Sequence, residues 1–419
     1  MADAFDVVVV GGGPVGACVA ALLAGASPRR AAPLSVAILE PHRPAFPAPD
    51  APIDLRVAAF SRASERILGA AGAWQQIAAT RISAYERMRI WHESITAGER
   101  GALRFDAAEA GEPNLGYIIE TRLVQAALLD AAVAAGVRIY ASEFISLHAS
   151  AERVHIATTD AALTARLVIG ADGARSPLRA AAGLAATVSD YGQIAIVATI
   201  ATERPHEQTA WQRSLRTGTL AFLPLSDGTS SIVWSADEKL VGPLLGCTAQ
   251  EFARELDRAS DGALGATRLA SERLSFTLHR LAAQRYVTER CALVGDAAHV
   301  VHPLAGQGVN LGLLDAATLA ELILGACDEG EDPGALRVLR RYERWRKSET
   351  EFMRVAIDAF DRLLAHGTGP LAQVAQRGLG WVNQSSEVKR FFMSRALGLS
   401  GELPRVARAA QSDRSSLHR

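Results

Sequence analysis

Phe5-Asp6-Val7-Val8-Val9-Val10-Gly11-Gly12-Gly13-Pro14-Val15-Gly16 sets the architecture of the chain. The β-branched run to Val10 suits a strand buried on both faces. Gly11, Gly13 and Gly16 then fall on a G-x-G-x-x-G spacing. Gly11 permits a tight turn, Gly13 lets the backbone approach a pyrophosphate, and Gly16 lets the next helix pack close to the strand. Pro14 and Val15 open that helix, whose N-terminal N–H groups and dipole favour an anion. Small residues carry it through 17–24, and 35–39 is a second strand ending at Glu40, 24 positions after Gly16. An acidic residue at that place suits ribose hydroxyls. Strand, glycine turn, helix and strand make a right-handed βαβ unit, so the expected class is α/β with a doubly wound parallel sheet.

At roughly 150 residues per domain, 419 residues make two or three packed units. Hydrophobic residues are 49% and charged ones 21%, too apolar for disorder. Lys and Arg number 44 against 45 Asp and Glu, a net charge of −1. A dedicated nucleic-acid binder would need a basic excess to neutralise phosphates. Cys18, Cys247, Cys291 and Cys327 form no C-x-x-C pair. That argues against a zinc ribbon, a dithiol centre or a disulfide scaffold, and for a reducing, cytoplasmic compartment. The N-terminus lacks the basic region of a secretory signal. No uninterrupted apolar window reaches the roughly 20 residues of a spanning helix, Glu321 breaking the run 316–327. The expectation is a protein not integral to a membrane but able to sit on one.

Five prolines make 41–52 a loop. Paired strands are expected at 88–91 and 102–105, a helix at 121–135 with Thr121 as N-cap, and strands at 137–140 and 167–169. Runs at 194–200, 220–222 and 231–234 read as the sheet of a second domain. A buried strand at 291–294, a glycine-rich turn and a long helix at 309–324 follow. From 343 the chain reads as helical almost to a frayed end.

Two later stretches repeat the strand-then-turn logic. Gly170-Ala171-Asp172-Gly173-Ala174-Arg175-Ser176-Pro177 closes the strand at 167–169 and reads equally as an Asp-Gly turn or a ligand loop. Leu293-Val294-Gly295-Asp296-Ala297-Ala298-His299 is followed by Pro303-Leu304-Ala305-Gly306-Gln307-Gly308-Val309-Asn310. Asp296 on a tight turn can take sugar or ribityl hydroxyls. The turn through Gly306 and Gly308 aims helix N–H groups at a ring that gains negative charge on reduction.

In this order and separation the motifs resemble those of the flavoprotein aromatic hydroxylases that fold like para-hydroxybenzoate hydroxylase. More narrowly, they resemble the FAD-dependent hydroxylases of ubiquinone biosynthesis. Asp54-Leu55-Arg56 with Ser61, Leu115-Gly116-Tyr117-Ile118-Ile119-Glu120 and Ala221-Phe222-Leu223-Pro224-Leu225 extend the likeness. So do Val388-Lys389-Arg390-Phe391-Phe392-Met393 and Ala396-Leu397-Gly398-Leu399, near the C-terminus. The resemblance implies a Rossmann-like FAD-binding domain from 1–80, 112–184 and 285–345. A β-sheet-rich substrate domain would come from 81–111 and 185–284, and a helical region from 346–419. It also implies FAD as cofactor, NAD(P)H as transient electron donor and O2 as co-substrate. Gly11, Gly13, Pro14, Val15 and Gly16 would hold the pyrophosphate, Glu40 the adenosine ribose, and Arg56 would lie near the ribityl–phosphate region. Asp172 would belong to a motif serving FAD and the pyridine nucleotide, and Asp296 would bind the ribityl chain. Pro303, Gly306, Gln307, Gly308, Val309 and Asn310 would surround the pyrimidine edge. Thr121 stands where the family has Asn, and the 25–33 connection is longer.

No second G-x-G-x-x-G follows a strand, since Gly312 falls one position late after Gly306 and Gly308. A flavin disulfide reductase would show one, so NAD(P)H must bind transiently. His302 is a better general-base candidate than His299, although no catalytic side chain is demanded where flavin and O2 carry the oxidation. Phe222, Pro224 and Trp234 are candidates to roof the flavin over the substrate, or else core of their sheet. Arg340, Arg341, Arg344 and Arg346 read as a solvated helix face. Residues 388–419 carry seven basic and two acidic residues, interleaved with Phe391, Phe392, Met393, Leu397 and Leu399. Such a segment fits the inner membrane face, a docking surface for other ubiquinone-biosynthesis enzymes, or a packed terminal helix. The expected activity is hydroxylation of the aromatic ring of a polyprenyl phenol. The alternatives are a small soluble aromatic substrate, or a non-catalytic flavin-binding member of a biosynthetic complex.

Overall fold

The valine run forms β1 (Asp3–Val10), in which Val7, Val8 and Val9 are fully buried. A computed structural model describes residues 3–25, 32–48, 50–98, 102–301, 308–365 and 401–408. β2 (Val36–Leu39) and β8 (Arg138–Tyr140) lie on one side of β1, β11 (Ala162–Gly170) and β19 (Cys291–Leu293) on the other, all parallel. β18 (Val287–Thr288) closes that edge antiparallel, and β9 (Phe144–Ala149) and β10 (Val154–Thr158) extend the sheet beside the early half of β11. The order β18-β19-β11-β1-β2-β8 sets the strand ends Val10, Gly170 and Leu293 side by side. Three sequence motifs thereby leave the sheet at one rim.

α1 (Pro14–Ala24) packs between α4 (Thr121–Ala134) and α8 (Gly308–Asp328), and α9 (Leu336–Ala365) packs on α8. α2 (Arg62–Ala70), α3 (Trp74–Thr80) and α5 (Pro177–Ala181) are shorter. Thr121 is the first helical residue of α4 rather than its cap. Glu120 takes the N-cap place with no side-chain cap bond, while the Thr121 hydroxyl donates to the Arg56 carbonyl at 3.0 Å. α8, at 21 residues with an 18-residue window of mean hydropathy 1.5, is long and apolar enough to cross a bilayer by length and composition, although Asp315 and Glu321 interrupt its apolar run. Two thirds of it is buried among its neighbours, as a core helix requires.

The second sheet has nine described strands, ordered β20-β17-β12-β15-β14-β13-β5-β6 with β16 beside β12. They are β5 (Arg87–His92), β6 (Leu103–Asp106), β12 (Ala186–Thr202), β13 (Thr209–Leu215), β14 (Gly218–Pro224), β15 (Ser230–Asp237), β16 (Thr267–Leu269), β17 (Leu274–Ala283) and β20 (His299–Val300). One face carries α6 (Glu238–Gly246) and α7 (Ala249–Ser260). A small sheet of β3 (Val57–Ser61), β7 (Gly116–Glu120) and β4 (Ser83–Tyr85) joins the two large ones.

None of the four cysteines forms a disulfide, and burial pushes the thiols of Cys18 and Cys291 up to about 12, so neither is a thiolate at neutral pH. Segment 401–408 packs on the chain itself. Ala407 is fully buried, the Trp345 indole donates to the Glu402 carbonyl at 2.8 Å, and Arg405 pairs with Glu321 at 3.3 Å. The expectation for the remainder of 388–419 falls on residues outside those described.

Candidate functional site

Gly11, at the end of β1, has φ +97°, and a Cβ there would stand 2.4 Å from the Ala171 carbonyl oxygen. The first and second motifs are thus in backbone contact. A Cβ on Gly16 would meet the Gly11 oxygen at 1.9 Å, so only glycine lets α1 start this close to the strand. Gly13 is the N-cap of α1 with no side-chain cap bond, and nothing lies within 4 Å of its missing Cβ. Its backbone therefore faces open space, and the first N–H groups of α1 are left for a ligand. Val15 points the other way, into Gly295 and Gly312, whose Cβ atoms would approach it to 3.2 and 2.5 Å. The first and third motifs are locked together through that one side chain.

Around this junction stand the acidic residues expected from the sequence. Glu40 accepts from the Gly12 N–H at 2.8 Å and the His42 N–H at 2.9 Å, which ties the end of β2 to the glycine turn. Asp172 accepts from the Leu178 N–H at 2.9 Å through Oδ2, while Oδ1 is buried without a partner. Burial raises its carboxyl above the ordinary range, against hydrogen bonds from Ser176 and Leu178 that lower it. Asp296 follows Gly295 (φ +58°) and is exposed. Desolvation by the surrounding protein raises it too, against His299 and His279, which lower it.

Gly308 and Val309 begin α8, and the Asn310 side chain bonds within the protein. Its Oδ1 accepts from the Ser61 N–H at 2.9 Å and the Ser64 hydroxyl at 2.6 Å, and its Nδ2 donates to the Ala59 carbonyl at 2.7 Å. Asn310 therefore clamps the start of α8 to the β3–α2 corner, which leaves mainly its backbone for a ligand. Arg56 is exposed beside the N-terminus of α4, where its carbonyl accepts from the Thr121 N–H at 2.9 Å. His302, Pro303, Gly306 and Gln307 lie outside the described residues.

Behind Asp296 lies a charged cluster that the sequence reading missed. Asp315 of α8 is fully buried and accepts from His299 Nε2 at 2.6 Å, the Gly295 N–H at 3.0 Å and Arg346 Nε at 2.7 Å. Arg346 is 1% exposed, which corrects its place on a solvated face. Arg340, Arg341 and Arg344 are exposed. The signal was spacing: Leu339, Tyr342, Arg346 and Thr350 recur every three or four residues and are all buried. Asp315, a fully buried charge in an apolar helix, required such a partner. His299 is thereby a member of this buried cluster.

Phe222 and Trp234 are corrected as well. Both are buried on the helix-covered face of the second sheet, Trp234 against Phe252 of α7 at 6.0 Å between ring centroids. Pro224, two positions on, is buried at the strand end opposite Ser230. Side chains alternate along a strand, so Leu223 and Val233 take the opposite face, where they pack with Ala59 and Ile118 beside the nucleotide unit.

Residues 4–351 match the FAD binding domain family. The chain is 37% identical to the ubiquinone hydroxylase UbiL of Rhodospirillum rubrum over 410 residues, 96% of this chain and 92% of that one. It is 33% identical to the 3-demethoxyubiquinol 3-hydroxylase of Escherichia coli, covering 94% and 98%. Its fold matches p-nitrophenol 4-monooxygenase PnpA from Pseudomonas putida at a TM-score of 0.74 and 20% identity, covering 94% and 98%. With the glycine turn, Asp172 and Asp296 gathered at one rim of the sheet, the chain belongs to the FAD-dependent hydroxylases of ubiquinone biosynthesis.

Proposed function

We propose that this enzyme hydroxylates the aromatic ring of a polyprenyl phenol on the way to ubiquinone, consuming O2 and NAD(P)H. What carries the reading is near-full-length similarity to two ubiquinone hydroxylases in a chain whose three motif turns meet at one rim. The reading places the protein in the cytoplasm, with peripheral contact at the inner membrane face where so apolar a substrate resides. Quinone analysis of a strain lacking the gene tests it. An under-hydroxylated prenyl intermediate is expected to accumulate and to disappear on complementation. An unchanged quinone pool would instead favour a small soluble aromatic substrate.

The residues fit FAD. The open backbone at Gly13 and the uncapped α1 suit its pyrophosphate, Glu40 its adenosine ribose, Asp296 its ribityl hydroxyls, and the first residues of α8 the pyrimidine edge of its ring. Bound FAD supplies the redox chemistry with O2. The chain's own groups bind, orient and shield: Val15 fixes two turns relative to each other, and Asn310 sets the height of α8. Ionised Asp296 accepts ribityl hydroxyls through both oxygens with a full charge, protonation weakens that acceptor, and its raised pKa brings protonation closer to neutrality. FAD affinity is therefore expected to fall with acidification below that pKa, by up to about tenfold per pH unit. Flavin-fluorescence titrations check the slope, and Asp296→Asn should flatten it.

A further inference from the structure

Hydrogen-bond register draws a line of side chains across the second sheet. Leu274 stands opposite Val197, Val197 opposite Val233, and Val233 opposite Ala221. Residues directly opposite share a face, and this is the face on which Val233 and Leu223 pack with Ala59 and Ile118. At about 4.8 Å per strand the line is roughly 14 Å long. Val197 and Ala221 are each 8% exposed and Val233 is half-buried, while Leu274 at its outer end is 38% exposed. Phe276, next on the same face and opposite Ala195, is 47% exposed. Beyond them the outer edge of β17 is bare among the described strands, for β20 pairs only with Leu281 and Ala282.

The inner end differs in polarity. Ser231 stands opposite Leu223 on this face, 2% exposed, and its hydroxyl has no hydrogen-bond partner. A buried orphan hydroxyl is costly, and a polar ligand head would satisfy it. The face thus offers a polar contact inside and an unbroken apolar line leading to the edge.

We propose that the prenyl tail of the substrate lies along this line and leaves the protein between Leu274 and Phe276. The proposal rests on the polyprenyl-phenol reading above. A slender apolar chain follows the line from covered to open end, whereas a folded partner could reach only the two outer side chains. Burying those side chains against the tail is favourable in proportion to the apolar area removed from water.

The test is steady-state kinetics of the FAD-loaded enzyme on a long-tailed prenyl phenol and on the same phenol with the tail cut to methyl. The double variant Leu274→Ser, Phe276→Ser is expected to raise the ratio of the two KM values roughly tenfold, the scale of one lost apolar contact. Thr277→Ser, exposed on the opposite face of β17, should leave the ratio unchanged. Both positions changed in the double variant are surface sites, and its bound-flavin absorbance confirms that it is folded. An unchanged ratio, or an equal rise in both KM values, overturns the proposal. So does a change of oligomeric state without a change of ratio, which would assign the edge to a second copy of the chain. If the unaltered enzyme hydroxylates neither phenol, the substrate reading itself falls, which is a distinct result.

Discussion

Asp315→Ala is expected to lower folding stability by about 3–5 kcal/mol, the range for removing one partner from a buried ionic cluster. Three groups lose their acceptor at once: the Arg346 guanidinium, the His299 ring and the Gly295 N–H. Arg346 is already short of partners, since its Nη2 is buried without one. Burial alone would push the Asp315 carboxyl up, but His299 and Arg346 together hold it below the ordinary range. The sign follows from linkage. A carboxyl depressed on folding contributes its full stability above the unfolded value of roughly 3.9 and loses it only as pH falls through the folded one. The defect should therefore be present throughout neutral pH. Denaturant unfolding measures it, and a loss below about 1 kcal/mol would mean that the cluster relaxes or hydrates. Asp315→Asn should be milder, because its amide oxygen keeps an acceptor for Gly295 and His299, although its NH2 then turns a donor towards the Arg346 Nε–H.

Gly16→Ala should weaken FAD binding with a smaller effect on the fold. The added methyl would stand 1.9 Å from the Gly11 oxygen and 2.9 Å from the Ala171 side chain, so α1 must move outward. Overpacking of this kind costs about 1–3 kcal/mol. If it falls on the cofactor geometry, FAD affinity drops by roughly 10- to 100-fold. Equilibrium titration of apoprotein with FAD gives the number, with circular dichroism as the check on folding. Gly13→Ala makes the contrast. Its methyl meets no protein atom within 4 Å, so any loss of affinity there comes from crowding the ligand.

The nucleotide unit was legible because its signals are local. The valine run, the glycine spacing and Glu40 lie within forty residues, and each has one steric reason. Sidedness in the second sheet was not. Every residue of β14 is buried, so no polar alternation marks which of Phe222 and Leu223 faces the nucleotide unit. A shift in β12 between Asp190 and Gln193 further resets its pairing with β17. Arg346 was hidden by composition: four arginines in seven positions suggest a wet surface, and only helical spacing separates the one that turns inward. The side-chain bonds of Asn310 were not legible, since Ser61 and Ser64 lie some 250 residues away in sequence.

The position of β1 bears on how the chain is made. β1, the earliest of the described strands, ends in the middle of its sheet, and one of its two neighbours, β11, begins roughly 150 residues later. At about 5–20 residues per second the ribosome takes some ten to thirty seconds to deliver that neighbour. Throughout this interval Val7 to Val10 present one unpaired, oily edge to solvent, where stray pairing is the hazard. Nascent-chain protection by a holdase would act on this enzyme early, before any yellow cofactor could bind.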